Sequence, residues 1–508
     1  MKRFVFIFIC LPSIYTACFA SNPNSMQHKH AIVQPNKLST QQAAKNAADQ
    51  AWDDSMEYVH TDKPEYRNSH VTVRTPAKNP ESVEFHPTAL IADHQIVTYI
   101  AGTPVVTAPF LGARPAFDGS DYIVNISSIN RDVRLMEQRR KLYNAYKEMG
   151  YPVPDRPILV LSGKAQPIAT IAWNPADQTT TNLDIGSNEL DMAAALNDMV
   201  EAYMGIAYVS SPPFPVDGPR VANSYFGLNL GFVNIGNLDK SPFYFTAGQL
   251  FVPFGRYSSS MVSPTLPMLM SRTLSRPFII GYRSQGQGGP YAAAYMFNTD
   301  TTMGNNNIEG VNVGYLIDMH NMMGDIGVGF IGSIDDAQGM QLNGLGNGYF
   351  GGFGSVSNGS ENVKSIPGLD VHANMSIDRY NITAEWVTAT SAFRAQDLSF
   401  NGQGAQPQAA QIEGSMTFKA FDKPASIGVG YQISQEALAL NIPKNRYIAV
   451  FNISLWRDTI ESIEYRHDLN YPVSDYANGA APEGVTNANI VGTGQAANCV
   501  TLQLGVYF

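Results

Sequence analysis

The chain has 508 residues, of which 44% are apolar and only 15% charged, with 43 Gly, 25 Tyr and 25 Phe. The charged share falls well below the roughly 25% that soluble domains carry. The formal net charge of −10, with no basic tract, leaves no footing for nucleic acid.

The N-terminus reads Met1-Lys2-Arg3, then an apolar run from Phe4 to Ile14, then the small-residue site ACFA at Ala17–Ala20. This order predicts a secretory signal peptide over residues 1–20, cleaved after Ala20, because the run is too short to span a bilayer. Cleavage would remove Cys10 and Cys18 and leave Cys499 alone, so no disulfide framework is expected. It would also remove Lys2 and Arg3, taking the formal charge from −10 to −12. No second apolar run of 18 residues follows, so no transmembrane helix is expected. An exported soluble protein and a membrane β-barrel remain, and the composition favours the barrel.

Residues 21–155 are mixed in character. STQQAAKNAADQAWDDSM (39–56) is helix-prone, with Ala43, Ala44, Ala47, Ala48 and Ala51 along one side. TPVVTAP (103–109) is similar to the short segment by which energised receptors contact an inner-membrane motor. It lies about 80 residues beyond the cleavage site, however, and reads as an ordinary β-prone stretch. A second helix is predicted near 126–149, where Ile129, Val133, Met136 and Tyr143 recur at helical spacing. Ser127 or Ser128 can cap its start, and Gly150 before Tyr151-Pro152 ends it.

From Arg156 the period becomes two. SIGVGYQIS (426–434) sets Ile427, Val429, Tyr431 and Ile433 against Ser, Gly and Gln; FGLNLGF (226–232), LDVHANMSI (369–377) and AQIEGSMTFKA (410–420) alternate in the same way. One apolar and one polar face is the half-buried strand pattern, and in a membrane barrel the polar face lines water. Tight turns are predicted at 196–199, 236–242, 284–289, 320–325, 378–381, 421–425 and 456–460. Between them lie mostly longer segments, including 210–225, 256–277, 335–367, 391–408 and 470–494. Short and long connections alternate, as in outer-membrane barrels with periplasmic turns and extracellular loops. Counting strands between them gives an all-β barrel of about 16 antiparallel strands over residues 156–508, with about 22 residues per strand and connection. That is comfortable for transmembrane strands of roughly 9–11 residues, whereas twenty-two strands would leave only about 16 each. An even count sets residues 21–155 at the periplasmic side, as an appendage or partial plug. The final LQLGVYF makes Phe508 the outward aromatic of a last strand that pairs with the first.

Three stretches carry a family likeness: GQLFVPFGRYSSSMVSPTLPMLMSRT (248–273), GSDYIVNISSINRDVRLMEQRRKL (119–142) and RPILVLSGKAQ (156–166). They resemble the LbtU family of siderophore porins, outer-membrane barrels of gamma-proteobacteria with an extra N-terminal periplasmic region. The resemblance spans most of the mature chain, although its sharp motifs cover about an eighth of it. It implies passage of a ferric siderophore without a plugged, energy-coupled receptor. A C-terminal Phe508 likewise resembles the signal that such barrels present to their assembly machinery.

Strand parity sets Lys164, Glu201, Arg283, Asp370, His372, Glu385, Glu413, Lys419, Glu464 and Arg466 in the lumen, where rings of charge tune solute preference. The segment from Arg256 to Pro277, with Ser258, Ser259 and Ser260 and with Arg272 and Arg276, has the length of a loop folded into the pore as a constriction; an outward loop is the alternative. No spaced metal motif and no nucleotide loop occur in the sequence, so neither cofactor nor enzyme activity is expected. The partners expected are outer-membrane lipid, the assembly machinery and a ferric siderophore. A general diffusion porin is the runner-up function, ahead of a structural or adhesive barrel and an outer-membrane hydrolase.

Overall fold

The computed structural model describes residues 96–100, 103–107, 130–148, 158–174, 179–209, 225–285, 288–301, 303, 307–319, 322–341, 363–377, 379–456, 459–477 and 490–507. The predicted signal peptide, the predicted helix near 39–56 and Phe508 lie outside these residues.

The molecule is a closed antiparallel barrel of sixteen strands. These are β1 (Ile158–Trp173), β2 (Thr179–Ala195), β3 (Val200–Val209), β4 (Tyr225–Gly236), β5 (Phe243–Phe251), β6 (Phe278–Arg283), β7 (Gly289–Asn298) and β8 (Asn307–Met319). They continue as β9 (Met322–Ile331), β10 (Gly368–Ile377), β11 (Tyr380–Ala389), β12 (Gln408–Ala420), β13 (Lys423–Gln435), β14 (Asn445–Ile453), β15 (Thr459–Leu469) and β16 (Ala496–Tyr507). Each strand pairs with its neighbours in sequence, and β16 closes on β1 from Asn498↔Trp173 to Tyr507↔Lys164. Short turns cluster at one end of the barrel and long loops at the other. The predicted turn at 320–325 is tighter than expected: β8 runs to Met319 and β9 starts at Met322, with Met319 opposite Met322. Asp325 is therefore a strand residue.

The burial pattern inverts that of a soluble protein. In β13, Ile427 and Val429 are exposed while Ser426, Gln432 and Ser434 are buried. In β10, Val371 and Ile377 face out while Asp370, His372, Asn374 and Ser376 face in. An outward row of this kind on every strand would be an aggregation surface in water, and it suits lipid. Aromatic pairs edge the band, with Tyr208–Phe226 centroids 6.0 Å apart near the long loops and Phe243–Tyr282 5.4 Å apart near the turns.

Barrel closure is staggered, so the first residues of β1 extend past the end of β16 with one edge unpaired. That edge is taken by a hairpin of Ile96–Ile100 and Thr103–Thr107, whose second strand pairs in parallel with β1 at Val105↔Leu159 and Thr107↔Leu161. The 103–107 stretch is thus an inner strand with both edges occupied, not a segment offering a free edge to a partner.

At the long-loop end, Phe393, Leu398, Leu438, Leu440, Ile442 and Tyr471 join one apolar cluster. Nearby, the Ser333 hydroxyl bonds the carboxylates of both Asp335, at 2.9 Å, and Asp336. Burial, and then the charge of Asp336, push the Asp335 carboxyl up from 3.8 to about 7. A carboxyl raised on folding contributes stability that is complete below its unfolded value and lost as pH rises through about 7. Amide protection factors of residues 332–341 and 363–366, with the base-catalysed intrinsic rate divided out, are therefore expected to be larger at about pH 5.5 than at about pH 8. Asp335→Asn, which keeps an acceptor for the Ile366 N–H (3.1 Å in the native chain), should flatten that dependence. Equal protection factors at both pH values in the native chain would refute it.

Candidate pore

The segment between β5 and β6 turns into the barrel instead of out of it. An irregular backbone inside a barrel needs partners for its N–H groups, and the wall supplies carboxylates. Glu385 on β11 accepts from the N–H of Arg256 at 2.6 Å and of Tyr257 at 2.8 Å. Glu413 on β12 accepts from the Ser260 N–H at 3.0 Å and the Ser259 hydroxyl at 2.6 Å. Glu464 on β15 accepts from the N–H groups of Val262 at 2.6 Å and Ser263 at 2.9 Å, and from the Ser263 hydroxyl. Gln432 on β13 takes the Leu266 N–H at 2.9 Å. The carbonyls are held as well: Arg446 donates to Pro264 at 3.0 Å and Gln411 to Ser258 at 3.2 Å. Three wall carboxyl groups thus fix about eight residues of loop, Arg256 to Ser263, to three strands.

Local sequence prepares this path. Gly255 has φ +75°, and a Cβ there would come within 2.3 Å of the Tyr257 ring, which folds back over it. Thr265 caps a short helix, α2 (Leu266–Ser271), by accepting from the Met268 N–H at 3.2 Å, and Pro267 occupies its first turn. The Tyr257 and Ser271 hydroxyls lie 2.9 Å apart, closing the loop on itself. Phe254, Leu266 and Met270 are fully buried in one cluster with Ile331 and Val387.

Beside the loop runs a second network. Arg256 pairs with Asp325 at 3.0 Å. The Tyr291 hydroxyl donates to Asp325 at 2.9 Å and lies 3.1 Å from His372 Nε2, whose Nδ1 is 2.5 Å from Asp370. Tyr291 reaches this position because it lies flat over glycines of β8 and β9. A Cβ at Gly314 would sit 2.3 Å from its hydroxyl, and one at Gly327 would sit 2.4 Å away.

The turn end holds a different element. Helix α1 spans Arg131–Glu148. It starts later than the serine caps predicted, because Asn130 adopts φ +55°, a left-handed conformation that asparagine tolerates, immediately before it. Its first half lies against the inward faces of β2 to β6. Arg131 donates to the Tyr203 hydroxyl at 2.9 Å and faces Glu189 at 3.8 Å and Asp191 at 3.9 Å. Asp132 accepts from Thr246 at 2.9 Å, and its carbonyl accepts from Asn234 at 3.1 Å. Glu137 pairs with Arg283 at 2.5 Å, and Arg139 with Glu201 at 2.8 Å. Leu135 and Met136 supply the apolar contact, in a cluster with Tyr203, Phe232 and Tyr244.

The residues singled out by parity thus fall into groups. Glu385, Glu413 and Glu464 hold the inner loop. Arg466 donates to Ser263 at 3.1 Å, and its Nε is 3.1 Å from Asp468. Asp370 and His372 belong to the Tyr291 network. Glu201 and Arg283 hold α1, and Lys164 pairs with Glu189 at 3.3 Å beside it. Lys419 is half-buried on the inward row near the turn end. Within the loop, Ser258, Ser259 and Ser260 are buried, and the Arg272 guanidinium sits 4.6 Å over the Phe251 ring. Arg276 does not belong with them. The chain has left the lumen by Leu274–Ser275, which pair back onto Phe251 and Leu250, and Arg276 is exposed with its Nε 3.3 Å from Gln249 on the outward row. Sequence reasoning missed Asp191, Tyr203, Asn234, Tyr291, Asp325, Gln432 and Arg446; the same parity rule, applied to every polar residue, would have found all but Asp325, which the turn predicted at 320–325 removed from its strand.

Among relatives, a UPF0422 protein of Legionella pneumophila strain Philadelphia 1 is 58% identical over 96% of this chain and 90% of its own length. A UPF0422 protein of Coxiella burnetii is 33% identical over 79% of this chain and 83% of its own. Among solved structures, the outer membrane channel DcaP of Acinetobacter baumannii aligns with TM-score 0.43 and 11% identity, covering 69% of this chain and 97% of that one. An anion-selective porin from Comamonas acidovorans aligns with TM-score 0.43 and 10% identity, covering 69% of this chain and 99% of that one. No family model matches the chain.

Proposed function

The chain belongs to the UPF0422 family, and from that premise we propose that it is an outer-membrane channel admitting a small solute, foremost a ferric siderophore. The observation that carries the channel reading is a closed barrel with a polar inner face, in which a loop is tethered by three wall carboxylates at mid-height. Sixteen strands can enclose an aqueous lumen, and in this reading the loop narrows it. The pore-lining roles of Lys164, Glu201, Arg283, Asp370, His372, Glu385, Glu413, Lys419, Glu464 and Arg466 belong to this reading, as does the constriction formed by the loop residues from Arg256 to Arg272. The siderophore is supported by the likeness to the LbtU family in residues 119–142, 156–166 and 248–273; a general diffusion porin is compatible with the same geometry.

In this reading residues 1–20 direct export, the short turns face the periplasm, residues 21–155 lie on the periplasmic side with the first half of α1 entering the barrel from there, and Phe508 is the signal read by the assembly machinery. One complementation experiment separates these claims. A deletion strain is restored with the full chain or with a chain lacking Phe508, and surface barrel level and siderophore-dependent iron uptake are both measured. Restored uptake with the full chain, and a reduced barrel without Phe508, are expected. Uptake unchanged by deletion and restoration would remove the siderophore and leave the general porin. A normal barrel level without Phe508 would remove its signalling role.

A further inference from the structure

Among the described residues the barrel holds two internal elements, and they are fastened by different physics. The loop after β5 buries Phe254, Leu266 and Met270 in an apolar cluster, so freeing it would expose a core. Helix α1 is fastened mainly by charge. Arg131, Asp132, Glu137 and Arg139 meet Glu189, Asp191, Asn234, Thr246, Arg283 and Glu201, and among the described side chains Leu135, Met136 and the half-buried Val133 add the apolar contact. Most wall groups uncovered by its departure are charged or polar and well solvated by water, with Phe232 and Tyr244 the apolar exceptions. Exchanging buried ion pairs for hydrated ones changes free energy little.

Placement and charge add to this. Arg131 contacts Tyr203, three residues inside the start of β3, while Arg139 contacts Glu201 and the Gly236 carbonyl at the rim (2.8 and 3.1 Å). The helix therefore enters the lumen N-terminus first, with its Arg131 end deeper than Arg139. Its sequence carries six Lys or Arg against three Asp or Glu, a formal charge of +3. Its far end joins β1 through the nine residues 149–157. That connection can span about 30 Å when extended, so an undocked helix stays tethered at the mouth.

We propose that α1 is a releasable plug of the short-turn end of the pore, clamped by ion pairs and drawn out by an electric field acting on its positive charge. This rests on the channel reading above. It adds a gate separate from the loop constriction and a polarity for that gate. Release is favoured when the compartment at the short-turn end is negative, because the helix moves toward that compartment.

The test is single-channel recording of the full chain in planar bilayers, with insertion direction fixed by adding protein to one side and folding verified by heat-modifiable gel migration. The native chain should show longer high-conductance dwell with the turn side negative than with it positive. Arg139→Glu should lengthen that dwell at least tenfold, and adding Glu201→Arg should restore the native dwell. Glu137→Arg with and without Arg283→Glu provides a second pair should the first not fold. Equal dwell at both polarities, or opening in the single variants that the second substitution fails to reverse, would overturn the plug while leaving the channel intact. Folded, inserted protein that carries no current in any variant would overturn the channel reading and the plug with it.

Discussion

Replacing Glu385, Glu413 and Glu464 together by alanine is expected to release the inner loop and widen the pore. Each carboxylate accepts from two or three donors of the segment from Arg256 to Ser263. Its removal leaves buried N–H groups unsatisfied, at about 1–3 kcal/mol each where water cannot reach them. Three removals therefore cost loop docking on the order of 5 kcal/mol, against an apolar anchor centred on Phe254, Leu266 and Met270. The barrel ladders use none of these side chains, so the folded, heat-modifiable form should persist. Conductance should rise, and proteolysis within the segment from Arg256 to Thr273 should become faster than in the native chain. The glutamine variants, which keep an uncharged acceptor, should lie between. Unchanged conductance and unchanged cleavage would mean that the carboxylates do not anchor the loop.

The second large effect is expected at a glycine. Gly314→Val should destabilise the barrel strongly, because its Cβ would meet the Tyr291 ring at 2.3–2.4 Å and the Ile326 carbonyl oxygen at 2.5 Å. The ring can swing away only by abandoning Asp325 and His372, and the carbonyl belongs to a neighbouring strand and cannot retreat. Overpacking of this kind costs about 1–3 kcal/mol, and more where backbone must shift. Gly414→Val is the matched control, since nothing lies within 4 Å of a Cβ there. Thermal or denaturant unfolding in detergent should separate the two clearly. Similar midpoints for both would show that Tyr291 does not depend on the flat glycine shelf.

The strand scaffold is legible in the sequence for a physical reason. A wall one residue thick between lipid and water writes its alternation into every strand, so Ile427, Val429 and Tyr431 announce the outer face of β13 and Ser426 and Gln432 its inner one. Connection lengths do the rest, with an error at 320–325 where a two-residue turn was read as six and Asp325 was lost to it. What parity cannot supply is partnership. Glu464 faces inward by rule, but that it grips the backbone of Val262, 202 residues earlier, is written in neither neighbourhood. The same holds for Tyr291 lying over Gly314, and for Arg139 meeting Glu201. The apolar stripe of α1 was visible as Val133 and Met136. That this helix enters the barrel depends on complementary charges from strands not contiguous with it. Arg276 was assigned to the constriction by nearness in sequence, whereas the return of Leu274–Ser275 to the wall had already taken it outside.

The central claim is that this barrel is a water-filled channel narrowed from within. The most direct test is the current carried by purified, heat-modifiable, full-length native protein in planar bilayers. Stepwise single-channel currents, enlarged by the triple alanine substitution at Glu385, Glu413 and Glu464, are the predicted result. Protein that inserts as a folded barrel yet passes no ions, in the native and the loop-released forms alike, would contradict it.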